Sequence, residues 1–181
     1  IFKNTNMTNI NGTSVSITGG INNTFLNASY YNESVSAGSQ LIRKWYYRAY
    51  VNDTSNNNIA GVNITAFNVS NKYNFNLTTD STGYTGLGEI IDYVNNGTRN
   101  YYSPYNITAI NSSYFLNSHT YNATSQQSNY KDVFMLSVNE SITQCAVLDR
   151  ANTVYTLLNN VTSAGTCFTI AANNITLDCQ G

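Results

Sequence analysis

The chain has 181 residues, a formal net charge of −1 and only 9% charged side chains, about a third of the usual share in a globular domain. A surface without a basic field excludes electrostatic capture of nucleic acid or anionic lipid. With 41% hydrophobic and 13% aromatic residues, disorder is excluded too, and no apolar run approaches the ~20 residues that a membrane-spanning helix needs.

Residues 1–44 open with stretches that echo one another. Phe2-Lys3-Asn4-Thr5 returns as Phe25-Leu26-Asn27-Ala28, 23 residues on, and Ser14-Val15-Ser16 returns as Ser34-Val35-Ser36, 20 on. Short β-prone runs, Asn-rich corners and a period of about 20–24 residues describe the coils of a parallel β-helix, in which each coil buries its apolar face on the next.

From residue 45 to 138 the rhythm changes. Trp45 to Val51 alternates, which predicts Trp45 and Tyr47 inside and Tyr46 and Tyr50 outside. Asp53 to Asn58 reads as a turn, Ile59–Phe67 and Tyr73–Thr79 as strands, and Asp80-Ser81-Thr82-Gly83 as a hairpin turn. Asp80 there is expected to close an Asx turn rather than hold calcium. Further strands are predicted at Glu89–Tyr93, Tyr105–Ile110 and Tyr130–Leu136. Six or seven short antiparallel strands of this spacing suggest a β-sandwich of immunoglobulin-like or transthyretin-like type.

Residues 139–181 return to coils. Cys145-Ala146-Val147-Leu148 is answered by Cys167-Phe168-Thr169-Ile170 at 22, and Tyr155-Thr156-Leu157 by Ile175-Thr176-Leu177 at 20. The expected fold is therefore all-β: a sandwich flanked by partial parallel β-helix coils, closing ones or a tail at 1–44 and opening ones at 139–181. Two coils are fewer than the about three that a stable solenoid needs, so both ends are expected to seek neighbours. The chain begins at Ile1 rather than Met, which reads as a mature chain or a piece of a longer one.

The densest motif is Asn-x-Ser/Thr. It occurs sixteen times, at Asn6, Asn11, Asn22, Asn27, Asn32, Asn52, Asn63, Asn68, Asn76, Asn96, Asn106, Asn111, Asn122, Asn139, Asn160 and Asn174, and none has Pro in the middle. Random placement of 31 Asn among 40 Ser and Thr in 181 residues gives about 7. Such tripeptides are N-glycosylation acceptors on exported chains, so dense glycosylation and an extracellular, cell-surface location are expected. The plainer alternative is that Asn and Thr are abundant because turns and strands use them.

The residues Ala60-Gly61-Val62-Asn63-Ile64-Thr65-Ala66-Phe67, followed by Thr79-Asp80-Ser81-Thr82-Gly83-Tyr84-Thr85, resemble carboxypeptidase-regulatory-like and Ig-like modules of surface proteins. The stretch from Val154 through Gly165-Thr166-Cys167-Phe168-Thr169-Ile170 to Asn174-Ile175-Thr176-Leu177-Asp178-Cys179-Gln180-Gly181 resembles the opening coils of right-handed parallel β-helix repeat proteins of archaeal cell surfaces, and residues 1–44 resemble their closing coils. One departure matters: β-helices of that family run for many coils, whereas the opening one here stops at Gly181, so the next coil comes from further chain or from another molecule.

Coil spacing selects a disulfide in this exported context. Residues one coil apart stack at about 4.8 Å, inside the Cα window of about 4.4–6.8 Å for a bridge. Cys145 and Cys167, 22 apart, meet that condition; Cys167 and Cys179, 12 apart, lie half a coil from each other. Cys179 is left as a small buried apolar residue or as a partner across a junction. No cofactor or metal is expected, with one His and no Cys-x-x-Cys. His119 reads as a loop residue in a Ser/Asn-rich stretch. The nine carboxylates are scattered, and four short coils split by a sandwich offer no long catalytic face, so an enzyme is not expected. Outward tyrosines, Tyr46 and Tyr50, or Tyr101, Tyr102 and Tyr105 around Pro104, are candidates to stack on sugar.

These observations lead to the expectation of a glycosylated structural subunit of an extracellular archaeal filament or surface layer. Its partners would be copies of itself, joined head to tail, and covalent N-glycans, with no nucleic acid and no membrane insertion by this segment. The alternatives are an adhesin or stalk repeat that binds glycans or partner cells, and a polysaccharide-processing β-helix enzyme.

Overall fold

The structure, a computed structural model, describes residues 1–7 and 12–180. It is all-β. The elements in chain order are β1 (Phe2–Lys3), β2 (Val15–Ile17), β3 (Asn23–Leu26), β4 (Glu33–Val35), β5 (Leu41–Asp53), β6 (Asn63–Phe67), β7 (Tyr73–Thr78), β8 (Gly88–Asn95), β9 (Arg99–Tyr101), β10 (Tyr105–Ile110) and β11 (Asn117–Tyr121). A single helical turn, α1 (Ala123–Gln126), precedes β12 (Asn129–Leu136), β13 (Val138–Ile142), β14 (Ala146–Leu148), β15 (Thr153–Leu157), β16 (Phe168–Ile170) and β17 (Thr176–Asp178).

The middle of the chain packs two sheets around one core. One sheet runs β1-β3-β5-β8-β9 with β12 also on β5; the other runs β11-β10-β6-β7. Alternation along β5 sends Trp45, Tyr47, Ala49 and Val51 inward, all 0–1% exposed, where they meet Ile64 and Ala66 of β6 and Ile107 and Ala109 of β10. Phe134 and Leu136 of β12 and Tyr121 of β11 complete this core. Tyr46 and Tyr50 point outward, as the alternation predicts.

The two ends are stacks of short parallel rungs. β1 pairs with β3, β3 with the first four residues of β5, and β2 with β4. At the other end β13, β15 and β17 pair in order, beside β14 with β16. β5 passes through the expected boundary at residues 44 and 45, so the amino-terminal rungs and the two-sheet body share a continuous sheet.

Several expectations need correction. β12 pairs with β5 in parallel, not antiparallel, because the chain crosses the whole second sheet before returning to that edge. The two repeats read at 20 residues slip by two: Val15 stands against Glu33, 18 on, and Tyr155 against Leu177, 22 on. A two-residue slip leaves every side chain on the same face, so apolar patterning cannot detect it. The repeats at 23 and 22 hold, as Phe2↔Phe25 and Ala146↔Phe168. β6 begins at Asn63 rather than Ile59, since Gly61 takes a positive φ of 72°. His119 lies on a strand, β11, not in a loop.

Candidate assembly ends and acceptor asparagines

Among the described residues, each terminal stack bares apolar side chains at its outermost rung. Phe25 is 2% exposed, but its neighbour Phe2, stacked on it with ring centroids 4.7 Å apart, is 56% exposed. Around Phe2 the coil interior opens as an apolar cavity of about 280 Å³ lined by Met7, Val15, Ile17 and Phe25. The opposite stack behaves alike: Leu148 is fully buried, while Ile170, one rung further, is 66% exposed. A rung with bare apolar side chains and an unpaired strand edge is a template for another rung. The two stacks attach at the two ends of β5, roughly 40 Å apart at about 3.3 Å per residue.

The stacks are tied down by specific contacts. Glu33 of β4, 1% exposed at its side chain, accepts from Tyr93 Oη at 2.6 Å, Asn95 Nδ2 at 2.8 Å and Arg99 Nε at 2.8 Å, reaching β8 and β9 from the amino-terminal coils. Burial pushes this carboxyl up, but hydrogen bonds from Tyr30, Tyr93, Arg99 and Asn95 outweigh it and hold Glu33 below the usual carboxylate range. The Tyr93 phenol is pushed up to about 12, by burial first and then by its bond to Glu33. In the other stack, Cys145 and Cys167 form the disulfide that the 22-residue spacing selects, with Cα atoms 4.6 Å apart, and Cys179 is free and exposed.

Of the sixteen Asn-x-Ser/Thr asparagines, nine are exposed (Asn6, Asn22, Asn63, Asn76, Asn96, Asn106, Asn122, Asn160, Asn174), four half-buried (Asn27, Asn32, Asn111, Asn139) and two buried (Asn52, Asn68); Asn11 lies outside the described residues. Asn63, Asn76 and Asn106 share the outer face of β6, β7 and β10, where the strand period places each Asn and its Thr side by side. Asn68 is committed to its own turn, its carbonyl oxygen accepting from the N–H groups of Ser70 and Lys72. Asn122 caps α1.

Asparagine also has the structural use that the plainer alternative and the Asn-rich corners anticipate. Asn4, Asn22, Asn27, Asn56, Asn71, Asn152 and Asn174 all have φ between 48° and 65°, the left-handed region that Asn tolerates better than most residues. Two pairs stack across rungs: Asn27 Nδ2 donates to Asn4 Oδ1, and Asn174 Nδ2 to Asn152 Oδ1, both at 3.0 Å. The signal for these two ladders was Asn recurring 23 and 22 residues on inside the repeats.

The remaining candidates do not converge. His119 Nε2 lies 2.9 Å from Asp132 Oδ2, which also accepts from Tyr47 Oη at 2.6 Å, so His119 links β11 to β12 across the edge of the core. Asp80 Oδ1 accepts from the Thr82 N–H at 2.8 Å and its hydroxyl, the expected Asx turn. Among the described residues, no three His, Cys, Asp or Glu side chains gather as a metal site, and no helix is long and apolar enough to cross a membrane.

No family model matches the chain, and no curated protein matches it. Among solved structures it is similar to the Bacillus anthracis TIE protein, at 12% identity and a TM-score of 0.38, over 59% of this chain and 19% of that one. A likeness of that size leaves function to be argued from the site alone.

Proposed function

We propose that the protein is a structural, N-glycosylated subunit of an extracellular filament or surface layer, archaeal by the resemblance of its repeats, which assembles head to tail by stacking its terminal rungs. The observation that carries this reading is the baring of apolar side chains at both outermost described rungs: Phe2 over Phe25 at one end, Ile170 over Leu148 at the other. The last coil, β16 and β17, lays its edge against β1 and β2 of the next copy and fills the cavity around Phe2. Such a contact joins unlike surfaces, so it propagates without closing unless rotation forms a ring.

The disulfide supports the location, since such bridges persist in oxidising compartments. Sugar on the exposed acceptors would supply the hydration that a surface with 9% charged residues lacks. Asn6, Asn22, Asn76, Asn106 and Asn160 are the best acceptors, being exposed with side chains that bond no other described residue; Asn52 and Asn68 are the poorest.

Sedimentation of the purified protein tests the reading. The protein forms concentration-dependent polymers, and Phe2→Asp, which puts a charge into the apolar mouth, leaves it monomeric with unchanged far-UV circular dichroism. Polymers that persist in that variant would overturn the proposal.

A further inference from the structure

The outer face of the sheet formed by β12, β5 and the segment around Tyr84 is unlike the rest of the surface. Alternation along β5 places Tyr46, Arg48 and Tyr50 there, and β12 adds Tyr130, Val133 and Met135, each about half exposed. The rings adjoin: Tyr46 and Tyr130 lie 6.1 Å apart, and Tyr50 and Tyr84 4.7 Å apart. Two cations lie on these rings, the Arg48 guanidinium 4.4 Å over Tyr84 and the Lys131 ammonium 4.6 Å over Tyr50.

Among the described residues, Arg43, Lys44, Arg99 and Arg150 each have a carboxylate partner, whereas Lys3, Arg48, Lys72 and Lys131 have none, and two of these four, Arg48 and Lys131, lie on this face. Arg48 Nε donates to the Thr85 carbonyl oxygen at 2.9 Å. Of the nearby acids, Glu89 is paired with Lys44, while Asp80, held below the usual carboxylate range first by the bonds from Thr82 and also by the charge of Arg48, partly answers Arg48 and leaves Lys131 free. The face also lacks an accessible glycan acceptor, because Asn52, the one such Asn on β5, β8 or β12, is 7% exposed and donates to Asn56. The opposite sheet presents Asn63, Asn76 and Asn106 to solvent. Glycosylation would thus coat one face of the body and leave the tyrosine face bare; that clause rests on the proposed glycosylation, and the aromatic–cation geometry does not.

We infer that this face binds an acidic glycan, a polysaccharide bearing carboxylate or sulfate groups. Tyrosine rings offer flat apolar area with a polar rim, suited to the C–H faces of a sugar ring. Arg48 and Lys131 flank those rings and answer the anionic groups, Arg48 with the planar donor geometry that suits a carboxylate or sulfate. With a net charge of −1 there is no long-range steering, so each contact is weak and salt-sensitive, and a repeating polymer gains by engaging many copies.

Native gel electrophoresis through immobilised polygalacturonate, dextran sulfate or neutral dextran tests this. Both acidic gels retard the protein, or one of them does and thereby names the anion, while dextran does not. Retardation weakens about fivefold in Arg48→Gln/Lys131→Gln, which removes two exposed cation contacts, and in Tyr46→Ala/Tyr130→Ala, which removes two stacking surfaces. It fades as salt rises from about 0.05 M to about 0.5 M, as a charge contact at the surface must. Lys72→Gln, which removes an unpaired cation elsewhere, changes nothing. Equal retardation in dextran, equal loss in Lys72→Gln, or indifference to all four substitutions on the face would overturn the inference. So would self-association that disappears in the same variants, because it would assign the face to a second copy.

Discussion

Glu33 shows how one side chain can fasten a repeat to a body. Its depressed folded value means that its contribution is present above the unfolded carboxyl value near pH 4.5 and is lost as pH falls through the folded one. Glu33→Gln is therefore expected to lower stability by about 2 kcal/mol at pH 7, less than a fully buried pair would cost because Arg99 is 40% exposed. The deficit should start to shrink as pH falls below about 4.5 and vanish once pH has passed through the folded value, where the wild-type carboxyl also loses its charge; paired thermal melts at pH 7 and at a series of lower pH values measure both. At Gly83 the constraint is steric. Its φ is +77°, and a Cβ there would lie 2.6 Å from the Val51 carbonyl oxygen. Gly83→Ala should cost roughly 2 kcal/mol or more, read as a lower urea midpoint at unchanged slope.

At the scale of the element, the repeats were legible where residue types recur and illegible where only patterning does. Phe2 with Phe25, and Cys145 with Cys167, carry distinctive side chains, so their spacings gave the true register. The pairs read at 20 consist of Ser, Val, Thr and Leu, and a shift of two preserves their alternation. Strand direction left no trace at all, since Tyr130 to Leu136 reads the same parallel or antiparallel. β11, Asn117–Tyr121, escaped notice because four of its five residues are polar or titratable and only Tyr121 is fully buried. The asparagines carry a double signal, for the residue that tolerates a left-handed corner is also the residue of a glycan acceptor. Removing the bridge as Cys145→Ser/Cys167→Ser should cost the carboxyl-terminal coils about 3 kcal/mol by the loop-entropy account. Limited proteolysis should then cut between residues 139 and 180 well before it cuts the two-sheet body.

Across the whole molecule, β5 is the spine. Its first residues pair with β3 and its last with β12, which leads directly into β13 and the second stack. Load entering at the first rung therefore reaches the last through hydrogen-bonded strands rather than through a loose linker, a property that suits a subunit of a filament. The same continuity implies that the two rung ends act as separate surfaces on a rigid piece. Blocking one leaves the other competent, and that separability is what distinguishes head-to-tail stacking from a symmetric contact.

The most direct measurement mixes two singly blocked proteins, Phe2→Asp and Ile170→Asp, and follows their masses by sedimentation equilibrium. Each alone should be monomeric. Mixed in equal amounts, they should form a dimer and nothing larger, because the intact last rung of Phe2→Asp meets the intact first rung of Ile170→Asp and no further site remains. Polymers from either variant alone, or a mixture that stays monomeric, would contradict the account.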